Sequence, residues 1–199
     1  MKKTPVLLAL LCIAVLTACS NPFRGGRGNN EGTITIAFGN DSRAARLAVT
    51  ADEITSYSII LTGPGGERIT ESVGRSGTVS ISVRPGAWNI TVRGMGPRPE
   101  EYAPDNDNDA VFQQRTMLRA LGFGEAEVRA GENSSALIQM TSATEVENSR
   151  QLSLAINSAG SGMEKIIVVM NDIKAEAGNT IAEGQNIILV PGSNEVTIE

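Results

Sequence analysis

Histidine is absent from this 199-residue chain. That removes the Ser-His-Asp triad, the Cys-His pair, His-ligated zinc and the commonest general base of neutral pH. Cysteine is nearly absent too: the two present are Cys12 and Cys19. Aromatic residues are scarce, with one Trp, two Tyr and four Phe. No apolar run reaches the roughly 20 residues that a membrane-spanning helix needs; the longest is the 11-residue stretch 6–16. Basic residues are outnumbered, 17 Lys and Arg against 22 Asp and Glu, for a net charge of −5. An acidic chain argues against nucleic acid as a partner. No GxGxxG, P-loop, CxxC or Ser-x-x-Lys pattern occurs, and Lys165 and Lys174 are the only lysines beyond the first three residues. With no catalytic constellation and no cofactor motif, the sequence reads as that of a protein that is not an enzyme and holds no cofactor.

What is present begins at the amino end. Lys2 and Lys3 precede the apolar run, and small residues follow it. This is the layout of a secretory signal peptide. The run ends in Leu16-Thr17-Ala18-Cys19, which resembles the lipobox of bacterial lipoproteins. The resemblance implies cleavage before Cys19, a diacylglyceryl thioether on its sulfur and an acyl group on its new amine. Burial contributes about 0.8 kcal/mol per methylene, so two or three chains hold a protein on a bilayer where one does not. Ser20 after the cysteine points, by the sorting pattern of that family, to the outer membrane. Losing Lys2 and Lys3 takes the net charge from −5 to −7. Lipid on Cys19 leaves no cysteine for a disulfide, so the fold rests on its core. Residues 1–18 are therefore the expected leader, and 19–32 a lipidated Gly/Asn-rich tether. Coil of that length reaches roughly 20 Å.

From residue 33 to 143 the pattern is one of short strands. Ile34, Ile36 and Phe38 alternate with Thr33, Thr35 and Ala37. Tyr57, Ile59 and Leu61 share a face, and Gly63-Pro64-Gly65-Gly66 turns the chain through residues that accept or pre-set turn dihedrals. Stretch 67–72 follows as a polar edge strand. Val79, Ile81 and Val83, then Trp88, Ile90 and Val92, flank Arg84-Pro85-Gly86. They read as a hairpin with Trp88 in the core. Stretch 111–121 fits either a helix or a strand by its apolar spacing and is read as a strand, extended by 125–129. Ala136, Ile138 and Met140 close the unit. Seven or eight such strands suggest a β-sandwich. The segment Val83-Arg84-Pro85-Gly86-Ala87-Trp88 with its flanks, and Val128-Arg129-Ala130-Gly131-Glu132-Asn133 leading to Ile138, resemble the two hairpins of transthyretin-like, carboxypeptidase-regulatory-like sandwiches. That resemblance implies an Ig-like, antiparallel architecture and a stalk, spacer or binding module.

Residues 144–199 change character. Asn148 or Ser149 can cap a helix with Leu152, Ala155, Ile156 and Ala159 on one face and Gly160 as its stop. Ile166-Ile167-Val168-Val169-Met170 is a continuous apolar run, the mark of a strand buried on both faces. With Gly178-Asn179-Thr180-Ile181 and Asn186-Ile187-Ile188-Leu189-Val190 it resembles the entry to a pectate-lyase-like parallel β-helix, whose end the helix would cap. Val168 and Leu189 lie 21 residues apart, about one coil. The unit then reads as incomplete, the start of a longer protein; a small α+β unit packed on the sandwich is the competing account.

Three candidate sites stand out. Asp105, Asp107 and Asp109 alternate like a Ca²⁺ loop, but Ala110 stands where an EF-hand has Gly and Thr116 where it has Glu. A solvated acidic loop is the better reading, so no metal site is assigned. Glu100 and Glu101 supply paired carboxylates without a defined cleft. Tyr102, in a proline-rich loop over 94–109, is the expected exposed contact residue. The reading that follows is a lipid-anchored envelope protein acting as a spacer or adhesin-like interaction module, with a protein or glycan partner. The alternative is the amino-terminal part of a β-helix adhesin or polysaccharide-active enzyme.

Overall fold

The computed structural model describes residues 30–38, 53–75, 77–102, 116–173 and 180–192. The fold is mainly β. Among these residues ten strands form two sheets: β1 (Gly32–Phe38), β4 (Thr78–Val83) and β7 (Asn133–Ile138) in one, and seven strands in the other. The larger sheet contains β2 (Ser56–Thr62), β3 (Arg68–Val73), β5 (Gly86–Pro97), β6 (Thr116–Val128), β8 (Thr141–Val146), β9 (Glu164–Val169) and β10 (Asn186–Pro191). Its order is β10-β9-β8-β6-β5-β2-β3, and the smaller sheet runs β4-β1-β7.

The smaller sheet and the β6-β5-β2-β3 part of the larger one pack face to face. Alternation decides which side chains meet: Ile34, Ile36 and Phe38 of β1 face Tyr57, Ile59 and Leu61 of β2 and Trp88, Ile90 and Val92 of β5. Apolar burial of this kind stabilises by about 25 cal/mol per Å². Phe38 and Tyr57 meet as tilted rings with centroids 4.6 Å apart. Trp88 is 1 % exposed, as its alternation with Ile90 and Val92 predicts. The turn at 63–66 joins β2 to β3 in a true antiparallel hairpin, with Gly65 and Gly66 at φ 70° and 80°. The polar strand β3 is the sheet edge, as expected.

The expected hairpin at Arg84-Pro85-Gly86 is corrected by the pairing. β4 bonds to β1, whereas β5 bonds to β2 and β6. The turn carries the chain from one sheet to the other. The same holds for the second expected hairpin, since β6 lies in the larger sheet and β7 pairs with β1. The physical reason is common to both. Alternation turns one face of each strand inward, and that requirement is met equally by neighbours in one sheet and by strands facing each other across a core. Trp88 closes the first arch by donating its Nε1–H to the Arg84 carbonyl at 2.9 Å. Gly86 sits at φ 133°, and a Cβ there would meet Pro64 Cγ at 2.4 Å. The sandwich is also not wholly antiparallel: β1 and β7 run parallel.

Strand β6 covers part of the ambiguous stretch, and 111–115 lies outside the described residues. β6 stays paired with β5 along its length, and on its other edge it pairs with β8 through Ala120–Ser142 and Leu121–Thr141. β8 straddles the expected boundary at 143. It leads into α1 (Ser149–Asn157) and then into β9, which lies parallel beside it; β10 lies parallel beside β9. Asn148 caps the helix, its Oδ1 accepting from Gln151 N–H at 2.9 Å. Leu152, Ala155, Ile156 and Ala159 are all buried, as their spacing predicts. The helix lies across the face of β8 and β9, where Leu152, Ala155 and Ile156 join Val146, Ile167, Val169, Met117, Tyr102 and Ile173. Leu118, Leu121, Ala143 and Ile166 form a further small core. β9 and β10 pair Val168 with Val190, a parallel offset of 22 residues.

Candidate functional site

Of the sequence-derived sites, Leu16, Thr17, Ala18 and Cys19 lie outside the described residues, as do Asp105, Asp107 and Asp109. Among the described residues no group of three or more carboxylates or cysteines is placed to hold a metal ion. No helix among them is long and apolar enough to cross a membrane.

Tyr102 requires a correction. It was expected on the surface of the proline-rich loop, but it ends a short 3₁₀ turn (Glu100–Tyr102) and is only 6 % exposed. Its ring fills a place in the core beneath α1, and its carbonyl accepts from the buried Gln151 Nε2 at 3.0 Å. A loop rich in proline and charge gives no sign that one aromatic in it is anchored, because the anchoring apolar face belongs to residues 40–70 positions later. Among the described residues the exposed aromatic is instead Phe123 on β6, 58 % accessible on the outer sheet face. It lies beside Asn89, Thr91 and Glu125 in a shallow groove.

Burying Tyr102 brings it into a polar cluster that the sequence did not single out. On β8, Ser142 and Thr144 point to the α1 side and are both buried, at 5 % exposure each. Ser142 is register partner to Lys165 on β9 and to Ala120 on β6. Lys165 therefore flanks the β8 hydroxyls on one side; Arg119, the residue left unpaired where the β5–β6 register shifts opposite Gly94 and Met95, carries a charge that acts on both Tyr102 and Lys165. Lys165 Nζ donates to Ser158 Oγ at 2.6 Å, and Ser158 Oγ donates to the Ala155 carbonyl at 3.1 Å. The Tyr102 hydroxyl bonds with Ser158 and Thr144. Arg119 is ion-paired to Glu53.

The electrostatics follow from burial. Desolvation raises the Tyr102 phenol above its usual range, with its hydrogen bonds to Ser158 and Thr144 pulling the other way. Desolvation, aided by the Arg119 charge, lowers the Lys165 amine from 10.5 to about 8. Ser158 and Lys165 are seven residues apart and meet only because the chain turns from α1 into β9. A Ser-x-x-Lys search misses such a pair. The only local signal is a lysine opening the apolar run of β9.

The chemistry of the pair is that of a cap rather than of a nucleophile. The Ser158 hydroxyl proton is directed at the Ala155 carbonyl, not at the amine, and the amine donates. Gln185 Nε2 caps the same helix end, donating to the Ile156 and Ala159 carbonyls at 3.1 and 2.7 Å. A cation near helix carbonyls lies at the negative end of the helix dipole.

No family model matches the chain. No curated protein matches it either. Three solved structures match part of the chain at low identity. A protein of Parabacteroides distasonis, provisionally called a cell adhesion protein, superposes at a TM-score of 0.34 with 10 % identity, covering 59 % of this chain and 42 % of that one. A Bacteroides eggerthii protein of the same provisional description gives 0.37 and 13 %, over 67 % of this chain and 47 % of that one. A Bacteroides thetaiotaomicron protein from a family of unknown function gives 0.32 and 13 %, over 55 % and 23 %. This chain thus spans less than half of each of these proteins.

Proposed function

We propose that the protein is a lipid-anchored component of a bacterial cell envelope, sited at the outer membrane. Its sandwich acts there as a non-enzymatic spacer and interaction module for a protein or glycan partner. The observation that carries this reading is Leu16-Thr17-Ala18-Cys19, placed at the end of an 11-residue apolar run behind Lys2 and Lys3. Two or three acyl chains on Cys19 make a stable anchor, and the Gly/Asn-rich segment after it gives the sandwich reach. The test is fractionation of cells expressing the parent and Cys19→Ser chains, with and without globomycin. The parent is expected in the membrane fraction, and the variant among soluble envelope proteins. A variant that still partitions with membrane removes the anchor.

The parallel β9–β10 pairing at a 22-residue offset favours a second reading, in which β8 to β10 open a stack of coils in a β-helix surface protein. Reading the genomic sequence beyond codon 199 tests it. Further apolar segments at about this period support the stack; an unrelated gene removes it.

A further inference from the structure

The cluster between β8 and α1 has an imbalance that the cap alone does not account for. Of its two cations, Arg119 and Lys165, only Arg119 has a carboxylate partner among the described residues. Glu53, from the segment before β2, is committed to Arg119 on β6. Glu101, on the 3₁₀ turn, acts on Tyr102. Glu145 of β8 is committed to Arg93 on β5. Among the described residues no carboxylate pairs with Lys165. Arg119 Nε is buried and has no hydrogen-bond acceptor among them. Beneath the two cations β8 carries hydroxyls, Ser142 and Thr144, where an apolar core would carry Val or Ile. Ser158 and Tyr102 add two more.

We propose that Arg119 and Lys165, with the hydroxyls of Thr144, Ser158 and Tyr102, bind an oxyanion, the carboxylate or sulfate group of an acidic ligand. Each element of the cluster then has a use. The anion supplies the counter-charge that Lys165 lacks and an acceptor for Arg119 Nε. The Thr144 and Tyr102 hydroxyls donate to the oxygens that the cations do not reach, and Ser158 turns its proton from the Ala155 carbonyl to do the same. Hydrogen bonds between charged groups are about twice as strong as neutral ones. Burial that disfavours a lone ammonium favours an ammonium–oxyanion pair. This inference is independent of the lipid anchor.

The test is lysine-selective ¹³C,¹⁵N NMR of the full chain in detergent, with Lys165 assigned by Lys165→Arg. In sodium chloride the Lys165 amine is expected to titrate near 8. Sodium sulfate or sodium glucuronate at the same ionic strength is expected to raise that value by about one unit. One unit corresponds to a tenfold preference of the anion for the protonated amine. Response to sulfate alone identifies a tetrahedral anion, and response to glucuronate identifies a sugar carboxylate. Ser158→Ala and Thr144→Ala should each reduce the anion-dependent rise. Arg119→Gln should abolish it while raising the chloride value, because the repulsion is gone; Trp88 fluorescence checks that each variant is folded. The proposal is overturned if neither anion moves Lys165 further than chloride does. It is also overturned if the rise persists unchanged in folded Arg119→Gln.

Discussion

A single residue, Lys165, gives the fold a pH dependence of its own. Its amine is held near 8 in the fold and stands at 10.5 when free. Below pH 8 it is protonated in both states, and keeping a desolvated charge under α1 costs stability. Between 8 and 10.5 the folded state has released the proton and the unfolded chain still holds it. The unfolded state then binds more protons, so stability rises with pH through that window. Above 10.5 both states are neutral and the contribution is constant. Lys165→Met removes the charge and keeps the aliphatic stem. The variant is expected to be more stable than the parent at pH 7, by about 1 kcal/mol or more. The advantage should shrink toward pH 10. Urea midpoints at the two pH values check it; an advantage that grows with pH contradicts the assignment of a desolvated ammonium.

At the scale of elements, what the sequence made legible is periodicity, and what it hid is partnership. The faces of β1, β2, β4, β5 and α1 follow from alternation and from 3.6-residue spacing, because burial selects them whatever lies opposite. A cap at Asn148 or Ser149 was legible because a capping oxygen has a local task, and the structure gives that task to Asn148, which receives the Gln151 amide. Asn148→Ala should cost about 1 kcal/mol, read as a lower urea midpoint with an unchanged slope. The polar cluster was not legible, since Arg119, Thr144, Ser158 and Lys165 come from four elements and meet only through the β6-β8-β9 order. The arch at Arg84-Pro85-Gly86 was misread as a hairpin for the same reason. Pairing, unlike facing, can be tested by cross-linking. Thr35 and Ser80 are register partners on β1 and β4, with their hydroxyls 3.0 Å apart. A chain carrying T35C and S80C should oxidise to a disulfide within the folded state, because antiparallel register partners fall in the Cα separation that a disulfide spans. A β4–β5 hairpin would leave these two positions unpaired and the thiols free to titrate.

At the scale of the molecule the question is whether the helix-bearing end and the sandwich fold as one. The direct sheet contact between them is small, two residue pairs between β6 and β8. Yet β6 runs through every core: Ala120 and Val128 belong to the sandwich, Met117 to the core beneath α1, and Leu118 and Leu121 to the third cluster. A strand cannot hold its inward face in one core while its continuation is released from another without giving up ladder bonds and side-chain burial together. Unfolding either end therefore exposes part of the other, and the loss is shared. Ile167, fully buried under α1, makes the test possible from a distance. Ile167→Ala should cost about 2–5 kcal/mol. Trp88, the only tryptophan, reports the sandwich alone. If the molecule is one cooperative unit, the variant lowers the urea midpoint seen by Trp88 fluorescence as far as it lowers the midpoint seen by helix circular dichroism. If the Trp88 midpoint stays at the parent value while the helix signal shifts, the sandwich folds without the α1 end, and the boundary falls between β6 and β8.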